Sequence, residues 1–134
     1  NARQRETSVT MATILTVEDE ENIRRLLAVN LQARGHEVLE ARSAEEGLPL
    51  LSTKPVDLVL LDIRLPGQSG WSMLEAMQQQ PDLRDIPVIV VSGEADRPYY
   101  QPDCQQSNVK GIVPKPVALP VLLQTIQRAI NDIC

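Results

Sequence analysis

Val56-Asp57-Leu58-Val59-Leu60-Leu61-Asp62-Ile63-Arg64-Leu65-Pro66-Gly67-Gln68-Ser69-Gly70 is the stretch whose reading decides the fold. Leu58 to Leu61 is a continuous apolar run, the pattern of a strand buried on both faces of a helix-covered parallel sheet. It stops at a carboxylate, Asp62. Leu65-Pro66-Gly67 then ends regular structure and Ser69-Gly70 offers a helix start, so Asp62 is expected at a strand's C-terminal end, facing a loop. Ligand chemistry in open α/β sheets gathers at that edge.

The same unit recurs on both sides. Ala12 to Val17 predicts a first strand, and it too runs into acids, Glu18 to Glu21. A helix follows, with Ile23, Leu26, Leu27 and Leu31 at helical spacing, and Gly35 is placed to end it in a left-handed conformation. His36 to Ala41 reads as a short edge strand. Ser43-Ala44-Glu45-Glu46 matches a capping box, and Pro49 predicts that the helix it opens is short or kinked. Beyond Asp62 come a helix through Trp71, Leu74 and Met77, an apolar strand from Pro87 to Val91 ending in Ser92-Gly93, a last strand at Gly111 to Pro114 followed by Lys115-Pro116, and a final amphipathic helix from Leu119 to Ile133. Between them, Glu94 to Lys110 is the least regular part. Pro98 and Pro102 leave little uninterrupted ladder there, so an irregular or shortened fourth helix is expected.

The whole chain has 134 residues, 43% hydrophobic and 23% charged, which suits one globular domain with one core. A net charge of -5 argues against direct nucleic-acid binding. No apolar run is long enough to cross a bilayer, and Asn1 to Thr10 lacks the apolar region of a signal peptide. Residues 1–11 read as a disordered tail or tag remnant, with Met11 as a candidate native start, and the chain is expected to be either a stand-alone unit or a piece of a longer protein. The two cysteines, Cys104 and Cys134, form no framework or metal spacing, which fits a reducing, cytoplasmic compartment.

Right-handed crossovers bring the C-terminal ends of parallel strands to one edge, so Glu18, Asp19, Asp62, Ser92 and Lys115 are expected to converge. Three carboxylates in one pocket repel one another unless a cation neutralises them. Lys115 supplies one charge, and a hard divalent ion, Mg2+ or Mn2+, is the natural second, with Asp19 and Asp62 as ligands and Glu18 acting through a water or orienting the site. An ionised Asp62 beside such an ion can attack phosphorus to give an acyl phosphate. Ser92 can then donate to a phosphoryl oxygen while Lys115 pairs with another.

These residues give the chain a close resemblance to the receiver domains of two-component response regulators. The matching motifs, over residues 12–133, are Ile14-Leu15-Thr16-Val17-Glu18-Asp19-Glu20, Leu60-Leu61-Asp62 with Leu65 to Gly70, Val90-Val91-Ser92-Gly93 and Val113-Pro114-Lys115-Pro116. The resemblance implies a flavodoxin-like doubly wound (βα)5 sandwich of strand order 2-1-3-4-5 and a cis Lys115-Pro116 bond. It further implies that Asp62 accepts phosphate from the phosphohistidine of a sensor histidine kinase or phosphotransfer domain. The Arg64 main-chain carbonyl would join Asp19 and Asp62 on the metal, and Ser92, Gly93 and Lys115 would hold the phosphoryl group. Arg64 and Glu94 fall where similar receivers tune loss of phosphate, and they are expected to pair across the pocket mouth.

Two departures stand out. Ile112 occupies the position where the family often has an aromatic switch residue, and the proline-rich Glu94 to Lys110 segment replaces a helix of the usual output face. A degenerate receiver, signalling by protein contact alone, is therefore the competing reading. A haloacid-dehalogenase-like phosphatase is disfavoured because Arg64 stands where its second acid belongs, and a nucleotide-binding domain because no glycine-rich loop follows Val17. The chain is expected to be a signalling switch, not an enzyme with a separate substrate. Its output partner or attached domain is not specified, and a homodimer through the last helix is a family precedent. His36 reads as an ordinary strand-start residue, Trp71 as packing, Cys104 as an inert thiol and Tyr99-Tyr100 as a candidate partner patch.

Overall fold

A computed structural model describes residues 11–65, 69–93 and 108–131. In chain order the elements are β1 (Thr13–Val17), α1 (Glu21–Ala33), β2 (Glu37–Ala41), α2 (Ala44–Thr53), β3 (Leu58–Asp62), α3 (Gly70–Gln78), β4 (Val88–Ser92), β5 (Val109–Pro114) and α4 (Leu119–Ile130). All five strands are parallel, in spatial order β2-β1-β3-β4-β5. This is the flavodoxin-like topology expected from the sequence. None of the described helices is long and apolar enough to cross a membrane.

Side chains alternate across each strand, so the sheet feeds two cores. Leu15, Val17, Val59, Leu61 and Val90 pack on one face with Ala44 and Leu51 of α2 and Met73 and Met77 of α3. Ile14, Leu58, Leu60 and Ile89 pack on the other with Leu27 and Leu31 of α1 and Leu122 and Ile126 of α4. Every residue of β3 and β4 is buried, which is why their sequences read as unbroken apolar runs. β2 lies at the edge and is only partly buried. The chain turns from β1 outward to β2, then crosses back to place β3 on β1's other side, which opens a crevice at the C-terminal ends of β1 and β3.

Local rules explain most boundaries. Gly35, at φ +95°, ends α1 in the left-handed region as expected. Ser43 caps α2 by accepting from the Glu46 amide at 3.2 Å. The return bond of Glu46 goes to the Arg42 amide at 2.8 Å, one residue before the cap. Pro49 lies inside α2, which runs ten residues to Thr53, shorter than α1 or α4. Its buried face, Ala44, Gly47 and Leu51, holds it against the sheet while the proline ring lies on the exposed side.

Two further expectations need correction. Leu26 belongs not to the core but to the surface, 62% exposed, and Ala28 fills the stripe instead. β5 begins at Val109, two residues earlier than predicted, and an irregularity in its pairing with β4 falls between Val109 and Gly111. His36 fits its reading as an ordinary residue at the strand start: it directly precedes β2 and is buried, its Nδ1 accepts from the Ala12 amide at 3.0 Å, and burial holds its pKa below the ordinary histidine value. Trp71 is partly buried against the α2/α3 core, as expected of a packing residue. Glu94, Tyr99, Tyr100, Cys104, Cys134 and the expected irregular fourth helix lie outside the described residues.

Candidate functional site

Asp62 is the last residue of β3 and is 2% exposed. Its two oxygens are held separately. Oδ1 accepts from the Arg64 amide at 3.0 Å, and Oδ2 from Lys115 Nζ at 2.8 Å. Lys115 follows β5 through a backbone bond from its amide to the Ser92 carbonyl at 2.9 Å, and the Lys115-Pro116 peptide is cis.

Glu18 leaves β1 beside Asp62 and is 3% exposed. Its Oε1 lies 3.7 Å from Lys115 Nζ, and its Oε2 accepts from the Glu20 amide at 3.1 Å. Asp19 sits exposed at the mouth. One oxygen from each of Glu18, Asp19 and Asp62 can be found within 4.8 Å of the others. Opposite ligands of an octahedral Mg2+ stand roughly 4 Å apart, so this all-oxygen set suits such an ion with water completing its shell.

Burial, and next the charge of Asp62, push the Glu18 carboxyl up to about 7, against the pull of the Glu20 amide and Lys115. Burial works against the Lys115 charge, but the hydrogen bond and charge of Asp62, helped by Glu18 and Asp19, outweigh it and raise its pKa above the usual lysine value. The metal-free pocket thus tends to keep a proton at neutral pH. A carboxyl whose pKa rises on folding holds more protons in the folded chain, so its contribution to stability is present below about pH 4.5 and is lost as pH climbs to about 7. Without divalent ions, the urea midpoint is expected to fall over that window by the equivalent of roughly 2–3 kcal/mol for this group. Glu18→Gln should flatten the dependence, and an unchanged slope in that variant would refute the assignment.

Ser92 ends β4, 2% exposed, and its Oγ is buried with no hydrogen-bond partner among the described residues. A buried hydroxyl left unsatisfied calls for an explanation, and a ligand oxygen supplies one. Gly93 follows, partly buried. Ile112 is partly buried and packed against the α2/α3 core. The Arg64 amide is committed to Asp62, and its side chain is exposed. The expected Arg64–Glu94 pair lies outside the described residues.

The sequence reading missed two residues that shape the pocket. Arg24 donates from Nη1 to the Glu18 carbonyl at 3.0 Å. Its signal was present: an arginine on the same helical stripe as Leu27, Ala28 and Leu31 must find a buried acceptor. Gly70, whose amide donates to the Ile63 carbonyl at 2.9 Å, lies so close to the loop that a Cβ there would meet the Asp62 carbonyl oxygen and Ile63 Cα at 2.7 Å. Backbone cannot yield as a side-chain tip can. Gly70→Ala should therefore cost about 1–3 kcal/mol in chemical denaturation and displace Asp62. A variant as stable as wild type would show that the loop gives way freely.

The response regulator receiver domain family matches residues 14–127. The polar-differentiation response regulator DivK of Brucella ovis is 31% identical over 124 residues, covering 89% of this chain and 96% of that protein. A sensor protein from Polaromonas sp. JS666 superposes with a TM-score of 0.81 at 28% identity, covering 92% of this chain and 98% of that one. The chemotaxis response regulator CheY4 of Vibrio cholerae gives 0.78 at 27% identity, covering 90% and 99%.

Proposed function

The chain belongs to the response regulator receiver domain family, and on that premise we propose that it takes a phosphoryl group onto Asp62 from the phosphohistidine of a sensor histidine kinase or phosphotransfer domain. One observation carries the reading. Asp62, a lysine 2.8 Å from it, two further acids and an unpartnered buried hydroxyl meet at one sheet edge.

An oxygen of Asp62 attacks phosphorus as the bond to the donor's nitrogen breaks, and the leaving imidazole keeps the electron pair. Lys115 moves from Asp62 Oδ2 onto a phosphoryl oxygen, and Ser92 Oγ donates to another. Asp19, Asp62 and the Arg64 main-chain carbonyl would hold Mg2+ or Mn2+, with Glu18 reaching it through water. When bound, that ion offsets charge on the transferred oxygens. The chemistry ends with taking and losing this phosphate, so the chain acts as a switch and not as an enzyme on other substrates.

Beside Lys115 an apolar groove of about 530 Å³, lined by Ile23, Leu26, Leu27, Pro116 and Leu119, offers a phosphodonor protein footing next to the site. The output is an attached domain, a separate partner or a second copy of the chain, and the setting is the cytoplasm. Ile112 favours a second reading, a phosphorylation-independent interaction module, because no aromatic ring stands there to report the phosphate.

Intact mass after incubation with Mg2+ and acetyl phosphate separates the two. A single acid-stable, hydroxylamine-labile adduct supports the switch. No adduct and no Mg2+ binding by the folded chain supports the interaction module.

A further inference from the structure

We propose that Arg24 is a positioning residue for the acid pocket: its buried guanidinium, anchored on Glu40, holds the peptide unit that joins Glu18 to Asp19. The inference rests on the reading of those acids as part of a Mg2+-dependent phosphoacceptor site.

Arg24 is 8% exposed and lies on the face of α1 that covers the sheet. A cation in that position is strongly unfavourable unless it is paired and hydrogen-bonded. Its Nε donates to Glu40 Oε1 at 3.2 Å, and its Nη1 to the Glu18 carbonyl at 3.0 Å. Glu40 belongs to β2, level with Thr16 of β1, and its other oxygen accepts from Arg25 at 2.6 Å, so the anchor is itself fixed.

On the opposite side of the same residue, the Glu18 amide donates to the Ala41 carbonyl at 3.0 Å. The end of β1 is thus tied to β2 twice, directly at the Glu18 nitrogen and through Arg24 at its oxygen. The Glu18 carbonyl and the Asp19 amide share one planar unit. Fixing that oxygen therefore sets the directions in which both acidic side chains leave the backbone. A leucine here would satisfy the packing but would leave the carbonyl without its donor.

Mg2+ affinity, measured by isothermal titration calorimetry on wild type, Arg24→Gln and Glu40→Gln, tests this at a temperature where melts show each protein folded. The rate of phosphorylation by acetyl phosphate at saturating Mg2+ is the second readout. Removing a residue that orients metal ligands typically weakens binding by 10- to 100-fold, so Arg24→Gln should raise the Mg2+ Kd by about tenfold and Glu40→Gln by less, with the saturated rate nearly kept. A purely structural role would lower melting temperature and leave the Kd of the folded chain alone. Affinities of both variants within twofold of wild type overturn the inference and leave the phosphoacceptor reading intact. Should Arg24→Gln fail to fold, Glu40→Gln decides by the same criterion. A wild-type chain that binds no Mg2+ overturns both readings together.

Discussion

Asp62→Asn is expected to keep the fold and lose phosphorylation entirely. With Mg2+ and acetyl phosphate the variant should stay at its own mass while wild type gains one phosphoryl group. The single amide oxygen can keep one of the two contacts that hold Asp62 now, from Lys115 or from the Arg64 amide, while the NH2 group cannot accept the other; that loss is local to the sheet edge and leaves both cores untouched. What disappears is the anionic nucleophile. A second consequence reaches the neighbour. The charge of Asp62 is, after burial, the main influence raising the Glu18 carboxyl, so its removal should bring Glu18 down from about 7 toward the ordinary carboxylate range. The loss of stability between pH 5 and 7 should then become shallower than in wild type. An adduct that persists in Asp62→Asn would move the acceptor elsewhere. A variant with unchanged pH dependence would mean that burial alone sets the Glu18 titration.

What the sequence disclosed follows from how each residue is used. Leu58 to Leu61 and Val88 to Val91 are buried on both faces, so they could be apolar throughout, and the place where each run stops marks the sheet edge. Asp62, Ser92 and Lys115 were legible because they break such runs at their ends. Leu26 was misplaced because helical spacing identifies a stripe without saying how wide it is: Leu26 and Leu27 both fit, and only packing against the sheet chose Leu27. Pro49 shows where α2 is weakened but not where it ends, because the cost of one missing hydrogen bond is local, whereas the burial of Ala44, Gly47 and Leu51 acts along the whole helix. The close approach of Gly70 to the Asp62 carbonyl had no signal in the sequence, since it depends on how α3 docks after the loop. The depth of Glu18 was hidden for a related reason. In a run of four acids nothing marks the first as buried, until β2 supplies the Ala41 carbonyl that draws its amide in.

Lys115→Met separates phosphoryl transfer from metal binding. In wild type the ammonium lies 2.8 Å from Asp62 and 3.7 Å from Glu18, inside the same set of oxygens that suits a divalent ion. It therefore does two opposed things. It neutralises the acids in the absence of metal, and it adds a positive charge close to where Mg2+ would sit. Methionine keeps much of the apolar stem and removes the charge. The Glu18 carboxyl, already at about 7 with the lysine's help, should climb further, so the variant holds its proton more firmly at neutral pH. Measured well above neutral, where that proton is gone, Mg2+ should bind the variant at least as tightly as wild type, because a repelling cation has been removed. Phosphorylation from acetyl phosphate should nevertheless fall, on the order of 10²-fold, since a placed donor to the developing phosphoryl charge is missing and bulk water replaces it poorly. Calorimetry for the metal and intact mass over time for the phosphate measure the two separately. Loss of both would mean that Lys115 mainly holds the pocket together. Phosphorylation within a fewfold of wild type would remove Lys115 from the transfer step and leave Ser92 and the metal to stabilise it.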